Sequence, residues 1–75
     1  MPRKIYDVVF TIIWDEPRRA FAIERDGAPT GRAHLNKVEA IKMASQAARF
    51  ETREGRTAVV YSFNSERKQI VEWSG

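Results

Sequence analysis

Basic side chains are the residues of this sequence whose types and spacing point most directly to chemistry. Lys42, Arg49 and Arg53 stand seven and four residues apart, which places three cations on one ridge of a helix. A ridge of this kind can follow the phosphates of a nucleic acid. Arg18 and Arg19 form a second basic pair, in a turn. We therefore predict a nucleic-acid-binding surface built from these five residues, against the alternative of an ordinary solvated helix face.

Side chains that carry out catalysis or hold a metal are scarce. The chain contains no Cys, and His34 is its only imidazole, with no second ligand at metal-binding spacing. Asp15 and Glu16 are adjacent acids that point apart in a charged turn, which is unsuited to paired acid–base work. The segment 27–32 contains Pro29 and lacks the Gly-Lys-Ser/Thr ending of a phosphate-binding loop. We predict no enzyme activity, no catalytic or metal site, no cofactor and no small-molecule substrate.

The elements that must position the basic residues form a small α+β domain. Strands are predicted at residues 5–14, 20–25, 32–35, 57–63 and 68–73. A single helix is predicted at residues 37–53. The order β-β-(β)-α-β-β predicts a single antiparallel sheet with one helix packed on one face. A length of 75 residues predicts one domain, 1–75.

Both ends of the predicted helix carry recognisable signals. Asn36 is placed to cap the first turn, and Glu39 follows three residues later, as in a capping box. Gly55 is placed for the left-handed conformation that often ends a helix. The small apolar residues that share one helix face are Ala40, Ile41, Ala44, Ala47 and Ala48. We expect this face to approach the sheet closely, with the basic ridge on the outside.

One helix covers only one face of a sheet, so the other face is predicted to be uncovered. The even-numbered positions of the first strand are all apolar and are assigned to the core, together with Tyr61 and Phe63. The residues predicted to form an interface are Val9, Ile13, Val60, Ile70 and Trp73, with Val71 as the alternative to Ile70 in the last strand. Apolar surface patches commonly mark interaction sites. The alternative function is therefore a homodimeric or accessory protein that uses this face or an edge strand.

The amino-terminal stretch is not predicted to direct export. Arg3 and Lys4 precede an apolar stretch, but Asp7 interrupts it and an acidic turn follows it. No apolar run approaches the roughly 20 residues needed to cross a bilayer. The sequence therefore predicts a cytoplasmic protein with no membrane partner.

The motifs and their order resemble a family of short bacterial proteins that is catalogued as a domain of unknown function. The segment 21–23, Phe-Ala-Ile, stands where that family has Trp-x-Val, Gly27 matches its glycine, and Asn36 replaces its capping Thr. The matches to its helix are Glu39, Ala40, Ile41, Ala44, Ala47 and Ala48. The family's Asp-Gly is missing from the final hairpin at residues 64–70. The resemblance spans most of the chain, and it implies a fold without an activity.

Two looser resemblances imply functions. The order of elements resembles the arm-type DNA-binding domains of phage integrases, in which a sheet followed by a helix reads DNA through the sheet. It also resembles HicB-type antitoxins in its strand–strand–helix start and its Ala-rich helix beginning near Glu39 and Ala40. This chain lacks the Pro-x-Leu-Pro-Gly segment of those antitoxins. Both resemblances depend only on a similar order of elements, and one fold supports many functions.

Overall fold

The computed structural model describes residues 5–75, so Arg3 and Lys4 lie outside the described residues. The elements, in chain order, are β1 (Val8–Asp15), β2 (Ala20–Arg25), β3 (Ala28–His34), α1 (Lys37–Arg53), β4 (Ala58–Phe63) and β5 (Gln69–Ser74). The strands form one sheet in the order β3-β2-β1-β4-β5. The helix packs on one face of this sheet and contacts all five strands. The predicted α+β class with a single helix is therefore confirmed.

The predicted antiparallel pairing is wrong at the centre of the sheet. β1 and β4 run parallel, with Val8 opposite Ala58 and Phe10 opposite Val60, whereas the other three pairs of strands are antiparallel. The reason is the helix, which spans about 25 Å at 1.5 Å per residue and returns the chain along the whole length of the sheet. β4 therefore enters at the end where β1 begins, and the sheet is mixed.

The third strand is longer than predicted and begins directly after a tight turn. Asp26 and Gly27 both have positive φ, 51° and 83°, as in the two-residue turns that join hairpin strands. Pro29 and Gly31 make the following segment resemble a loop in the sequence. Both are tolerated because β3 is an edge strand, and its pairing with β2 shifts register between Ala22 and Glu24.

The helix begins and ends where the sequence predicts. The Asn36 side chain accepts hydrogen bonds from the backbone N–H groups of Val38, at 2.8 Å, and Glu39, at 3.4 Å. Gly55 has a φ of +88° and donates its N–H to Thr52 O. The N–H of Arg56 reaches Glu51 O, which completes the paired hydrogen bonds of a Schellman motif. These caps fix where α1 begins and ends.

The core lies between α1 and the covered sheet face. The fully or nearly fully buried residues of this cluster are Val8, Phe10, Ile12, Ile23, Ala40, Ala44, Ala48, Ala58 and Val60. Three alanines spaced four residues apart, Ala40, Ala44 and Ala48, allow the helix backbone to approach the strands closely. The predicted assignment of the even positions in β1 holds for Val8, Phe10 and Ile12.

The face assignment of β4 is the reverse of the predicted one. Val60 lies opposite Phe10 in the core and is 0 % exposed, so it is not available to an external partner. Tyr61 and Phe63, predicted for the core, lie on the other sheet face because side chains alternate along a strand. Both faces of β4 are apolar, so the alternation of its residues does not show which face turns toward the helix. The pairing of β4 with β1 determines which face is buried.

Candidate nucleic-acid interface

The structure places the predicted basic ridge on the outer side of α1. Because the face carrying Ala40, Ala44 and Ala48 is buried against the sheet, the residues on the opposite side point to solvent. Lys42, Arg49 and Arg53 are all exposed. We call these three residues the basic ridge. Its position follows from the helix period alone.

The cations of the basic ridge have no ion-pair partner among residues 5–75. Every ion pair of the described part of the chain uses another cation: Arg18, Arg25, Arg56 or Lys68. Glu51, a carboxylate of α1, is buried and forms its ion pairs with Arg25 and Arg56. The charges of the basic ridge are therefore available to an external anion.

Two ridge residues, Lys42 and Arg49, line a cleft of about 410 Å³ between α1 and β5. The other lining residues are Ser45, Gln46, Glu72 and Trp73. Trp73 is half-buried and packs against the core, so its indole forms a fixed wall. The Glu72 carboxylate accepts the hydroxyl of Ser62. We call this recess the α1–β5 cleft; it combines two unpaired cations with an aromatic wall.

An irregularity in β5 brings Glu72 and Trp73 into the same cleft. Trp73 pairs with Val60 and Val71 pairs with Tyr61, so the register shifts between them and Glu72 is the extra residue. In a regular strand, neighbouring side chains point to opposite faces, and this bulge removes that restriction. Sequence reasoning treated Trp73 as an interface residue and missed its place beside the basic ridge, since nothing in residues 68–73 marks a bulge.

Arg18 and Arg19 lie far from Arg53, the last residue of the basic ridge. They lie in the turn between β1 and β2, at the end of the sheet where α1 begins, whereas Arg53 ends α1 about 25 Å away by helix length. Arg18 also forms an ion pair with Asp15, 3.6 Å between Nε and Oδ2. Arg18 and Arg19 therefore lie at the end of the sheet opposite to Arg53.

The residues predicted for a protein interface are also divided by the structure. Val9 and Ile13 lie half-buried on the sheet face away from the helix, but Val60 lies in the core and Trp73 lines the α1–β5 cleft. Ile70 pairs with Ser62, which places it on the helix side. The apolar residues on the side away from the helix are Val9, Ile13, Val59, Tyr61, Phe63 and Val71; Val59 is 0 % exposed, so the other five supply the contact surface. We call them the open face.

His34 and the acids do not assemble into a recognisable chemical centre. His34 ends β3, and its Nε2 is buried with no hydrogen-bond partner within residues 5–75. No group of three or more His, Asp or Glu in that range is placed to hold a metal ion. No helix in the described part of the chain has both the length and the apolar character to span a bilayer.

Comparisons with known proteins add no assignment. The chain matches no protein-family model, no curated protein and no solved structure. The resemblances drawn from sequence motifs therefore stay predictions.

Proposed function

We propose that this protein is a small non-enzymatic binding module that takes single-stranded nucleic acid into the α1–β5 cleft. The observation that supports the proposal is the joint placement of Lys42, Arg49 and the Trp73 indole around one recess. The predicted cytoplasmic location is compatible with such a partner. Arg53 extends the same ridge toward the end of α1 and is assigned a further phosphate contact.

The chemistry of the cleft favours a single strand over a duplex. Cations that follow a strand bind its phosphates without reading sequence. An aromatic side chain stacks on a base only when that base is not already stacked in a duplex. Because the indole and the cations lie in the same cleft, one nucleotide can contact both. Recognition of this kind is tolerant of sequence.

Fluorescence of Trp73 tests the proposal directly. Trp14 is the other tryptophan and is half exposed near the β1–β2 turn, so Trp14→Phe isolates the signal of Trp73. Addition of a short oligothymidylate strand is expected to quench this fluorescence, and a duplex of the same length is expected to bind more weakly. Substitution of Trp73 itself is a poor test because its ring packs against the core.

Salt and charge variants separate phosphate binding from other causes of quenching. With three phosphate contacts the slope of log K against log salt is about −2, so affinity falls about 20-fold between about 50 and 200 mM salt. Lys42→Gln and Arg49→Gln should each reduce the slope by about 0.7. Arg67→Gln removes an exposed cation of the β4–β5 turn that forms no ion pair within residues 5–75, and it serves as the matched control. Equal effects of all three variants, or salt-independent quenching, contradict the proposal.

Self-association through the open face is a second candidate function. From Val9 to Ile13 on β1 and from Val59 to Phe63 on β4 the open face carries no charged side chain. Phe63 is 39 % and Val71 56 % exposed. A second copy of this chain is a suitable occupant, because the apolar strip on β1 and β4 can meet its own copy across a twofold axis, with Glu24 of β2 beside the strip.

Two neighbouring residues of β5 provide a matched test of this second candidate. Val71 lies on the open face, whereas Ile70 points to the helix side and is 38 % exposed. Val71→Lys is expected to shift a dimer to monomer in sedimentation equilibrium, since it places two cations at one contact. Ile70→Lys should leave the mass unchanged. A monomeric parent protein at high concentration removes this candidate and leaves the first one intact.

A further inference from the structure

We infer that a second cavity, on the opposite flank of α1 from the α1–β5 cleft, binds a small organic anion with an apolar body. The cavity has a volume of about 570 Å³ and lies between α1 and the β2–β3 edge of the sheet. This volume is within the range of about 300–1,000 Å³ that is usual for small-molecule sites. We call it the β2–β3 cavity. The inference is independent of nucleic-acid binding, because the two recesses share only Gln46.

Most of the wall of the β2–β3 cavity is apolar. The apolar lining residues are Phe10, Ile23, Met43, Ala44, Ala47 and Phe50. Phe50 is 58 % exposed and lies on the same flank of α1 as Met43 and Ala47. Met43 packs only partly against the core. An aromatic or branched ligand body placed here would cover surface that the fold leaves in contact with water.

Arg25 supplies a cation whose position is fixed. Its Nη1 lies 2.6 Å from Glu51 Oε1, and its Cζ lies 5.7 Å from the centre of the Phe10 ring, within reach of a cation–π contact. The other Glu51 oxygen, Oε2, accepts from Arg56 Nη1 at 2.9 Å. Both carboxylate oxygens are therefore occupied by arginines. An incoming anion meets a neutralised Glu51 and an Arg25 held in place.

Arg32 supplies a second cation at the cavity, and it has no ion pair among the described residues 5–75. Thr30 positions the backbone at this point: its hydroxyl donates to Ile23 O at 2.7 Å and accepts from the N–H of Arg32 at 3.2 Å. Thr30 and Gln46 also line the cavity as neutral hydrogen-bonding groups. The lining contains two arginines and one carboxylate. Its net positive charge is complementary to an anion.

An aromatic carboxylate satisfies both halves of this site. Its ring fits the apolar wall, and its carboxylate suits the planar guanidinium of Arg32, which can form two parallel hydrogen bonds. A neutral ligand of the same shape gains only the apolar contact. A cationic ligand is opposed by both arginines.

Amide NMR of the full chain tests the site with two matched probes. The probes are naphthalene-2-carboxylate and the neutral naphthalene-2-carboxamide. We expect the carboxylate to shift the amides of Ile23, Arg32, Met43 and Ala47, and to bind about tenfold more tightly than the carboxamide, as a charge-assisted hydrogen bond predicts. Equal affinity of the two probes overturns the inference. Shifts centred on the open face or on Trp73, or no shift at millimolar probe, overturn it as well.

Three variants identify the groups responsible. Arg32→Gln should weaken the carboxylate about tenfold and leave the carboxamide unchanged. Ala47→Leu fills the cavity from an exposed helix position and should weaken both probes. Arg67→Gln removes a cation outside the cavity and should change neither. An Arg32→Gln protein that keeps the parent spectrum and the parent affinity contradicts the assignment, because folding is then intact and the charge is irrelevant.

Discussion

Replacing Glu51 by Gln tests how the end of α1 is joined to the sheet. Glu51 is 6 % exposed, and its two oxygens accept from Arg25 at 2.6 Å and from Arg56 at 2.9 Å. The Glu51→Gln variant keeps the shape but removes the charge and turns an amide donor toward one guanidinium. Hydrogen bonds to charged groups contribute about 1.5–3 kcal/mol each. Both arginine side chains are about half exposed and regain water, so we expect a net loss of about 2 kcal/mol.

Urea unfolding followed by circular dichroism measures this loss. A change of about 2 kcal/mol lowers the melting temperature of a domain this size by about 8–16 °C, and the slope of the unfolding free energy with urea should stay constant. Glu54→Gln, an exposed carboxylate one turn later, is the control and should change stability by less than about 0.5 kcal/mol.

Added salt provides a second arm of the same experiment. Buried pairs are screened much less than exposed ones, so the difference between Glu51→Gln and the parent should persist at about 0.5 M salt. A loss below about 0.5 kcal/mol, or a difference that salt abolishes, refutes the reasoning, since the two pairs would then behave as ordinary surface ion pairs.

Three further predictions test the helix caps, the hairpin turn and the packing of α1. Asn36→Ala should cost about 1 kcal/mol in urea unfolding, because two N–H groups lose their acceptor; an unchanged midpoint contradicts the cap. Gly27→Ala should cost about 1–3 kcal/mol in thermal unfolding, because φ is +83° there; a stabilised variant would show that the turn has another conformation. Ala44→Leu should cost about 1–3 kcal/mol by overpacking the core, whereas Ala47→Leu at an exposed position should be nearly neutral. Equal losses of stability in the two leucine variants would contradict the assignment of Ala44 to the buried face of α1 and of Ala47 to its exposed side.

The local elements were predictable because their signals are short-range. The helix from Lys37 to Arg53 follows from an Asn cap, a Gly at the other end and an alanine face. The strand from Ala20 to Arg25 is bounded by a charged turn and by Asp26-Gly27. The basic ridge follows from helix period alone. These signals depend only on residues within a few positions of each other.

The arrangement of elements was not predictable in the same way. The parallel pairing of β1 with β4 depends on where the helix returns the chain, and it decides that Val60 is buried while Tyr61 faces outward. The bulge that adds Glu72 to the α1–β5 cleft has no composition signal. The β2–β3 cavity brings Met43 and Phe50 of α1 together with residues of β2 and β3. Such features depend on contacts between residues far apart in sequence.

The claim that nucleic acid binds beside the basic ridge is tested most directly by residue-resolved amide NMR. The titrant is a random single strand, added first at low salt and then at physiological salt, to the full chain. We expect shifts at Lys42, Ser45, Arg49 and Trp73 that salt reverses, with Arg18 and Arg19 unaffected. Shifts centred on the β1–β2 turn or on the open face, or none at low salt, would contradict it.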